Sequence, residues 1–339
     1  MKKIKSRTAV LFKKKKINLI NLELPTPLRN QVLVKNIYSS ICGTQMGEWL
    51  GKRNNTSMMP NCFGHEGVSK VIEIGKNVKK IKKDDIVCVS WIKKNNKDSG
   101  GIKIKNAKKI INAGPVNNFS DYSLISQNRL YKIKKNQARK KYTLMGCAFL
   151  TAFNIFYENK IHKKKNINIC IIGLGGLGLT CYYIAKYFGI KNIKCVEINR
   201  KKTDYLIRNF SVNKNSFLAS DHKTNIKFDY VIDCVATKEV FSKNIDKLKN
   251  FGGKYIFLGN PRFKEKIEID SWDIVLGKNL IGCWNKNEFF QKKFYIFLKY
   301  FEKIKSFNNF FQESYNLKDI NKAFNDLYLG RVIRPIIKH

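Results

Sequence analysis

A glycine-rich turn between an apolar strand and an amphipathic helix constrains the fold of this 339-residue chain more than any other feature. The predicted strand Asn168–Ile172 ends directly before the sequence Gly-Leu-Gly-Gly-Leu-Gly, and a predicted helix covers Leu177–Phe188. The first glycine of such a turn permits a tight reversal, the second permits close backbone approach to a phosphate, and the third permits close helix–strand packing. These positions are Gly173, Gly175 and Gly178.

The residues after this turn continue the alternation of strands and helices. Further strands are predicted at Ile193–Ile198, Phe228–Cys234 and Lys254–Gly259, and a helix over Lys202–Phe210 separates the first two. Strands that alternate with helices in this way form a doubly wound parallel sheet. From about residue 151 onward the chain is therefore predicted to be an α/β domain.

Residues 1 to about 150 have the pattern of a β-rich domain instead. Short strands are predicted at Gln31–Lys35, Val68–Ile74 and Asp85–Val89, and their spacing is typical of a barrel or sandwich. The segment Lys93–Lys109 is polar and has no clear period, so it is predicted to be an exposed loop. The end of the chain is predicted to form two helices and a strand, at Glu288–Phe301, Leu317–Leu329 and Arg334–Ile337.

The glycine turn also predicts a dinucleotide site. The phosphates would lie at the positive end of the helix that follows the turn. Glu197 ends the next strand, where an acidic residue accepts hydrogen bonds from the adenosine ribose. Because a carboxylate there repels a 2′-phosphate, NAD is the predicted cofactor and NADP the less favoured one, although Arg200 and Lys202 follow closely. The turn residues predicted to contact the dinucleotide are Gly173, Gly175, Gly176, Leu177 and Gly178.

The net charge of +41 raises the alternative of a nucleic-acid-binding protein. The basic residues are mostly lysines, however, and they are scattered along the chain in short groups such as Lys13–Lys16 and Lys163–Lys165. Recognition of bases and phosphates favours the bidentate fork of arginine. A solvated basic surface is therefore the favoured interpretation, and no specific nucleic-acid partner is predicted.

The nine cysteines and the distribution of apolar residues indicate the environment of the protein. No Cys-x-x-Cys pair occurs, so the sequence contains neither a zinc knuckle nor a recognisable disulfide framework. An odd number of thiols, most of them flanked by apolar residues, suits a reducing cytoplasm. No run reaches the roughly 18 uncharged apolar residues of a membrane span. We therefore expect a cytoplasmic protein without a membrane partner.

Three potential metal ligands lie upstream of the glycine turn. They are Cys42 in Ile-Cys-Gly-Thr, His65 in Gly-His-Glu-Gly and Cys147 in Met-Gly-Cys-Ala. Two thiolates and one imidazole make a three-ligand zinc site with an open fourth position, which is the arrangement of a catalytic zinc. Cysteine on its own is more often a small buried apolar residue. The prediction of a metal site therefore depends on the motifs that surround each ligand.

With these motifs in this order, the chain resembles, nearly end to end, the zinc-containing alcohol dehydrogenases of the medium-chain dehydrogenase/reductase superfamily. Gly-Asn-Pro at Gly259–Pro261 and Gly-Lys-Asn-Leu-Ile-Gly at Gly277–Gly282 extend the resemblance. It implies a GroES-like, β-rich catalytic domain formed by residues 1–150 and 286–339. A Rossmann domain with a doubly wound parallel sheet, residues 151–285, would be inserted between these two parts.

The resemblance also implies roles for residues near the metal. Cys42, His65 and Cys147 match the family's ligands of one catalytic zinc ion. Thr44 matches the hydroxyl that hydrogen bonds to the substrate oxygen. Glu66 matches a glutamate that approaches the metal during ligand exchange. The implied activity is NAD-linked oxidation of an alcohol, or reduction of an aldehyde, by hydride transfer.

The remaining implications concern the cofactor, the substrate and assembly. Thr151 matches a threonine beside the nicotinamide, and Arg334 matches an arginine near the pyrophosphate. The substrate would be a small alcohol or aldehyde, such as a primary alcohol, a polyol or a sugar derivative. A homo-oligomer, dimeric or tetrameric, is expected. The alternative enzyme on the same fold is a zinc-free NAD(P)H-dependent quinone or enone reductase.

Three departures from the family pattern qualify these expectations. The family's structural-zinc lobe, with four closely spaced cysteines, is replaced by Trp91–Ile111, so we expect one zinc ion per chain and no structural zinc. Gly47 occupies the position that often holds a proton-relay histidine. Gln45 stands where many members have an aspartate behind the metal-binding histidine, and a neutral amide orients that ring less strongly.

Overall fold

The computed structural model describes residues 4–53, 56–94, 98–99, 101–106, 109–218, 224–284 and 287–339. The chain separates into two compact units. The first unit consists of Met1–Leu150, Lys286–Glu302 and Phe310–His339, and the second of Thr151–Asn285 and Lys303–Asn309. The domain boundary predicted at residues 285 and 286 lies outside the described residues.

The strands and helices are numbered here in chain order. The strands are β1 (Ile4–Lys13), β2 (Lys16–Leu24), β3 (Gln31–Ser40), β4 (Asn61–Cys62), β5 (Glu66–Ile74), β6 (Ile86–Ser90), β7 (Ile102–Asn106), β8 (Lys109–Ala113), β9 (Tyr122–Ser126), β10 (Leu130–Ile133), β11 (Asn168–Ile172), β12 (Asn192–Val196), β13 (Tyr230–Asp233), β14 (Lys254–Phe257), β15 (Asn279–Gly282), β16 (Ser314–Asn316) and β17 (Ile336–Lys338). The helices are α1 (Gly43–Trp49), α2 (Ala148–Glu158), α3 (Gly176–Tyr187), α4 (Arg200–Phe210), α5 (Lys238–Asn244), α6 (Ser271–Val275), α7 (Asn287–Lys303) and α8 (Ile320–Tyr328).

The first unit is β-rich, as predicted. In its described part, one sheet has the strand order β2-β1-β4-β8-β7, and the other has the order β10-β6-β5-β3-β17-β16, with β9 also paired to β3. Alternate residues of a strand point to the same face of a sheet. Val32 and Val34 of β3 therefore point into the same apolar cluster, where they are joined by Val87 and Val89 of β6.

The second unit contains the predicted parallel sheet, in the order β12-β11-β13-β14-β15. Beyond β12, Phe217 forms a parallel bridge with Cys195. The connections reverse direction between β11 and β13, and this point of a doubly wound sheet is where such folds bind ligands. The observed sheet confirms the predicted fold class. In the described part of the chain, no helix is long and apolar enough to cross a membrane.

The prediction of an exposed loop over Lys93–Lys109 was wrong. The described residues of this region include β7, which pairs with β8 in an antiparallel hairpin. Ile104 and Ile111 form the inner face of the hairpin, because both are buried in an apolar cluster against which Ile102 also packs. The high lysine content concealed an alternating strand whose outer face is charged.

Candidate metal centre and dinucleotide turn

Cys42 is the N-cap residue of helix α1 and follows the end of β3 closely. Its Sγ accepts a hydrogen bond from the backbone N–H of Thr44 (3.3 Å), and its own backbone N–H donates to Oε1 of Gln45 (3.1 Å). These are the reciprocal contacts of a capping box, which satisfies otherwise unpaired N–H groups at a helix start. Capping therefore fixes the position of the Cys42 thiol, and half-buried Thr44 follows it in the first turn.

Two glycines allow the other predicted ligands to come close. Gly64, with a φ of 102°, adopts a backbone conformation that favours glycine and delivers His65 to the start of β5. Gly146 precedes Cys147, and a Cβ at this glycine would lie 2.3 Å from the carbonyl oxygen of Val89. Only glycine lets the turn before Cys147 pack directly on β6.

The structure brings the three predicted ligands together. The ligand atoms of Cys42, His65 and Cys147 all lie within 4.8 Å of one another, and Nε2 of His65 is 3.2 Å from Sγ of Cys42. Elsewhere in the described residues, no other group of three or more Cys, His, Asp or Glu side chains has this spacing. Two sulfurs and one imidazole nitrogen fit zinc by their chemistry.

Burial and mutual contact shift the ionisation of these groups. Burial opposes ionisation of the Cys42 thiol, but the hydrogen bond with Cys147 and the neighbouring His65 hold its pKa well below the usual value. The hydrogen bond to Cys42 is the largest cause that raises the pKa of Cys147. Burial is the largest single effect and lowers the pKa of His65, but the charge and hydrogen bond of Cys42 together with the charges of Glu66 and Glu48 outweigh it, so this pKa is raised. Thiols this close favour a single thiolate unless a cation compensates the second charge.

Glu66, the residue after His65, forms a buried ion pair with Arg334. Both side chains are almost inaccessible, with Glu66 at 0% and Arg334 at 5% exposure. Oε1 of Glu66 accepts hydrogen bonds from Nη2 of Arg334 and from Oγ of Ser40 (2.6 Å). Burial raises the pKa of Glu66, and the charge of Arg334 opposes this. The sequence predicted separate roles for these two residues and did not predict their contact.

The predicted dinucleotide turn has the expected local geometry. Gly173 has a φ of 80°, and Gly175 caps α3, which begins at Gly176 and continues through Leu177. A Cβ at Gly178 would lie 2.1 Å from the carbonyl oxygen of Gly173, so only glycine permits this close packing of turn and helix. The N-terminus of α3 is thus left with backbone N–H groups suited to phosphate.

Glu197 follows β12 and lies beside this turn. Its Oε2 accepts hydrogen bonds from the backbone N–H of Leu174 (3.1 Å) and from Nζ of Lys202 (2.6 Å). The side chain of Glu197 is 6% exposed. Lys202 was not predicted to contact Glu197. The sequence could have indicated this contact, because Asn199 is a favourable N-cap residue and its position places Lys202 in the first turn of α4.

Thr151 is the remaining residue predicted at the cofactor site. It lies in α2, four residues after Cys147, and is 8% exposed. The structure thus groups the predicted residues into two sets, one in each unit. Cys42, His65 and Cys147 form the first set with their neighbours, whereas the glycine turn and Glu197 belong to the second.

Comparison with known proteins agrees with this arrangement. Residues 29–135 match the family described as the alcohol dehydrogenase GroES-like domain. The chain is 23% identical to alcohol dehydrogenase-like 1 of Arabidopsis thaliana, over 94% of this chain and 91% of that protein. It is 22% identical to an S-(hydroxymethyl)glutathione dehydrogenase of Komagataella pastoris, over 98% and 97% of the two chains.

Solved structures show the same fold. An alcohol dehydrogenase zinc-binding domain protein from Burkholderia ambifaria is similar with a TM-score of 0.84 and 19% identity, over 99% of both chains. Benzyl alcohol dehydrogenase from Acinetobacter calcoaceticus is similar with a TM-score of 0.82 and 20% identity, also over 99% of both. The solved structures thus share the fold of this chain, residues 29–135 match the alcohol dehydrogenase GroES-like domain, and the chain is similar over nearly its whole length to alcohol dehydrogenases.

Proposed function

We propose that this protein is a zinc-dependent, NAD-linked alcohol dehydrogenase or aldehyde reductase with one catalytic zinc ion per chain. The observation that carries the proposal is the grouping of the ligand atoms of Cys42, His65 and Cys147 within 4.8 Å. Three ligands leave a fourth position for a substrate oxygen, as in catalytic rather than structural zinc sites. The glycine turn supports a nicotinamide cofactor on the same chain.

Zinc held by these three ligands would supply Lewis acidity, which lowers the pKa of an alcohol hydroxyl. Thr44, in the first turn of α1, is proposed to hold the substrate oxygen by a hydrogen bond and to relay its proton to water, since Gly47 provides no side chain for this step. Glu66 is proposed to approach the metal during ligand exchange, and its pairing with Arg334 holds in place this carboxylate of the residue next to His65. Hydride transfer between the alcohol carbon and the nicotinamide is the proposed reaction class.

The cofactor assignment is supported by contacts in the second unit. Gly173, Gly175 and the start of α3 are proposed to bind the pyrophosphate, and Glu197 the adenosine ribose. Thr151 is proposed to lie beside the nicotinamide, and Arg334 near the pyrophosphate. A carboxylate at Glu197 disfavours the 2′-phosphate, which supports NAD over NADP. The chain is further proposed to be a cytoplasmic homo-oligomer, and its nine free thiols are consistent with a reducing compartment.

Metal content and cofactor binding test the proposal directly. Zinc per chain would be measured by elemental analysis and NADH binding by fluorescence, for the unmodified protein and for Cys42→Ala. Cys62→Ala is the matched control, because Cys62 is buried in β4 outside the cluster. We expect about one zinc per chain in the unmodified protein and in the control, and loss of zinc with retained NADH binding in Cys42→Ala. NADH binding without zinc, even after zinc is added, would favour the zinc-free reductase instead.

A further inference from the structure

The segment after α1 folds back over that helix. Gly51 has a φ of 69°, and its backbone N–H donates to the carbonyl of Glu48 (3.0 Å). The N–H of Lys52 donates to the carbonyl of Gly47 (2.9 Å). These two bonds are the Schellman motif, which ends a helix and reverses the chain. Arg53, the next residue, is thereby directed back toward helix α1.

Arg53 covers the position where Gly47 lacks a side chain. A Cβ at Gly47 would lie 3.2 Å from Cγ and 3.3 Å from Cδ of Arg53. The space above Gly47 is therefore filled by the aliphatic part of the Arg53 side chain. A larger residue at position 47 would have to displace this side chain.

The guanidinium of Arg53 has an unpaired buried nitrogen. Nη1 is inaccessible to solvent and has no hydrogen-bond partner among the residues that the structure describes. Arginine keeps its charge at any physiological pH, and its N–H groups can only donate. A buried donor of a charged group without a partner is costly. A negatively charged ligand would provide the missing acceptor.

The helix face under Arg53 leads to the metal centre. Thr44, Gly47 and Glu48 are three or four residues apart, so they share one face of α1, and all three are half-buried. Burial raises the pKa of Glu48, and the charges of His65 and of Arg53 both oppose this rise. Glu48 is thus within electrostatic reach of the metal ligand and of the arginine.

We propose that Arg53 selects alcohol or carbonyl substrates that carry a carboxylate or phosphate group, by donating hydrogen bonds to that oxyanion. The oxyanion would pair with the guanidinium over Gly47, while the reacting oxygen lies near Thr44, one turn earlier on the same helix. This inference rests on the proposed function, which it makes more specific in its substrate class. Carboxylates and phosphates both match the geometry of an arginine fork.

The test compares matched neutral and anionic substrates in the zinc-loaded protein. Butanal is paired with succinate semialdehyde, and glyceraldehyde with glyceraldehyde phosphate, and the kcat/KM of each is measured with NADH. We expect a preference of about tenfold or more for the anionic member of at least one pair, as a charge-assisted hydrogen bond would give. The pair that shows it distinguishes carboxylate from phosphate substrates.

Substitutions assign this preference to Arg53. Arg53→Met should reduce the preference about tenfold, and Arg53→Lys should retain part of it, since a lysine keeps the charge without the fork. Lys52→Met is the matched control, because exposed Lys52 is the adjacent cation and lacks the buried position. Equal preferences in Arg53→Met and the unmodified protein would overturn the proposal. A loss of the same size in Lys52→Met would do so as well, because it would indicate general attraction by surface charge.

Binding without turnover separates this inference from the proposed function. Succinate and inorganic phosphate would be titrated by calorimetry into the zinc-loaded protein and into both variants. Binding that is lost in Arg53→Met and kept in Lys52→Met supports the anion site, even if no aldehyde is reduced and the dehydrogenase proposal fails. If the unmodified protein binds neither anion and shows no anionic preference, the inference is wrong while the dehydrogenase proposal stands.

Discussion

Gln45 contacts His65 with the donor end of its amide, because the acceptor end is already in use. Its Oε1 accepts the backbone N–H of Cys42 at 3.1 Å, and its Nε2 lies against Nδ1 of the imidazole. A backbone N–H can only donate, so the amide oxygen must face Cys42. A neutral His65 whose Nδ1 accepts a hydrogen bond carries its proton on Nε2, the nitrogen 3.2 Å from Sγ of Cys42.

Replacement of Gln45 by glutamate should therefore strengthen zinc binding. Ligation through Nε2 of His65 requires the proton on Nδ1, where Gln45 presents N–H groups instead of an acceptor. In Gln45→Glu, one carboxylate oxygen still accepts from Cys42 and the other accepts from Nδ1. We expect about tenfold tighter zinc binding, within the usual range for residues that orient a metal-binding histidine.

This change in affinity would be measured by competition with a chromophoric zinc chelator. Gln45→Met is the control, because it keeps a similar side-chain length but removes both polar contacts. It should bind zinc no more tightly than the unmodified protein. Equal or weaker zinc binding by Gln45→Glu would show that the amide does not oppose metal binding.

The ion pair between Glu66 and Arg334 should dominate the stability of the first unit around the metal centre. Arg334→Met leaves the Glu66 carboxylate buried without its cation, and loss of one partner of a buried pair costs about 3–5 kcal/mol. The measurement is the free energy of unfolding in urea. Arg331→Met is a matched control, because Arg331 is 67% exposed and its partner Asp326 also accepts hydrogen bonds from Tyr315 and Lys322. Loss of this exposed cation should cost less than about 1 kcal/mol.

The double variant Glu66→Gln with Arg334→Met provides a further check on this pair. Removal of both charges should be less destabilising than the sum of the two single substitutions. Strict additivity would contradict a direct interaction between the two side chains.

Lys202 should modulate the discrimination between the two nicotinamide cofactors. Its ammonium group compensates the charge of Glu197, and Lys202→Met would leave that carboxylate free to repel a 2′-phosphate. We expect the dissociation constant of NADPH to rise relative to that of NADH by about fivefold, on the order of 1 kcal/mol for one charge pair near the surface. Fluorescence titration of both cofactors measures this ratio. Exposed Lys201 supplies the control variant, Lys201→Met, in which the ratio should not change.

Local sequence patterns predicted the features of this protein that depend on neighbouring residues. The strand Asn168–Ile172 and the turn after it match the structure because apolar runs and glycines act within a few residues. The fold class was confirmed for the same reason. The hairpin of β7 and β8 was missed because lysines alternate with its inner isoleucines, and only burial against other strands shows which face is the inner one.

Contacts between distant residues could not be predicted from local patterns. Glu66 and Arg334 are 268 positions apart, and no periodicity relates them. Arg53 presented a similar difficulty, since its relation to Gly47 depends on how the chain turns at Gly51. The resemblance to a known family supplied the metal ligands because it carries such long-range information. It could not supply contacts that involve residues at which this chain departs from the family.

Lys94 should give the protein a characteristic dependence of stability on pH. Burial, with a smaller contribution from Lys80, lowers the pKa of Lys94 from 10.5 to about 8. Its Nζ lies 4.4 Å from the centre of the Tyr131 ring. Between these two pKa values the unfolded chain binds a proton that the folded protein does not, so this group raises the free energy of unfolding as pH rises. Below the folded-state pKa, Lys94 is charged in both states, so the free energy of unfolding no longer changes with pH through this group and carries the full cost of burying the charge.

Lys94→Met should remove this dependence. From pH 7 to pH 10, the unmodified protein should gain stability relative to the variant, by on the order of 2 kcal/mol. Urea unfolding at several pH values measures the difference, and comparison of the two proteins cancels the titration of other groups. Lys79→Met is the control, because Lys79 is exposed and directly precedes Lys80; its stability should change with pH as that of the unmodified protein does. A constant difference between Lys94→Met and the unmodified protein would mean that Lys94 has an ordinary pKa, because burial then would not penalise its charge.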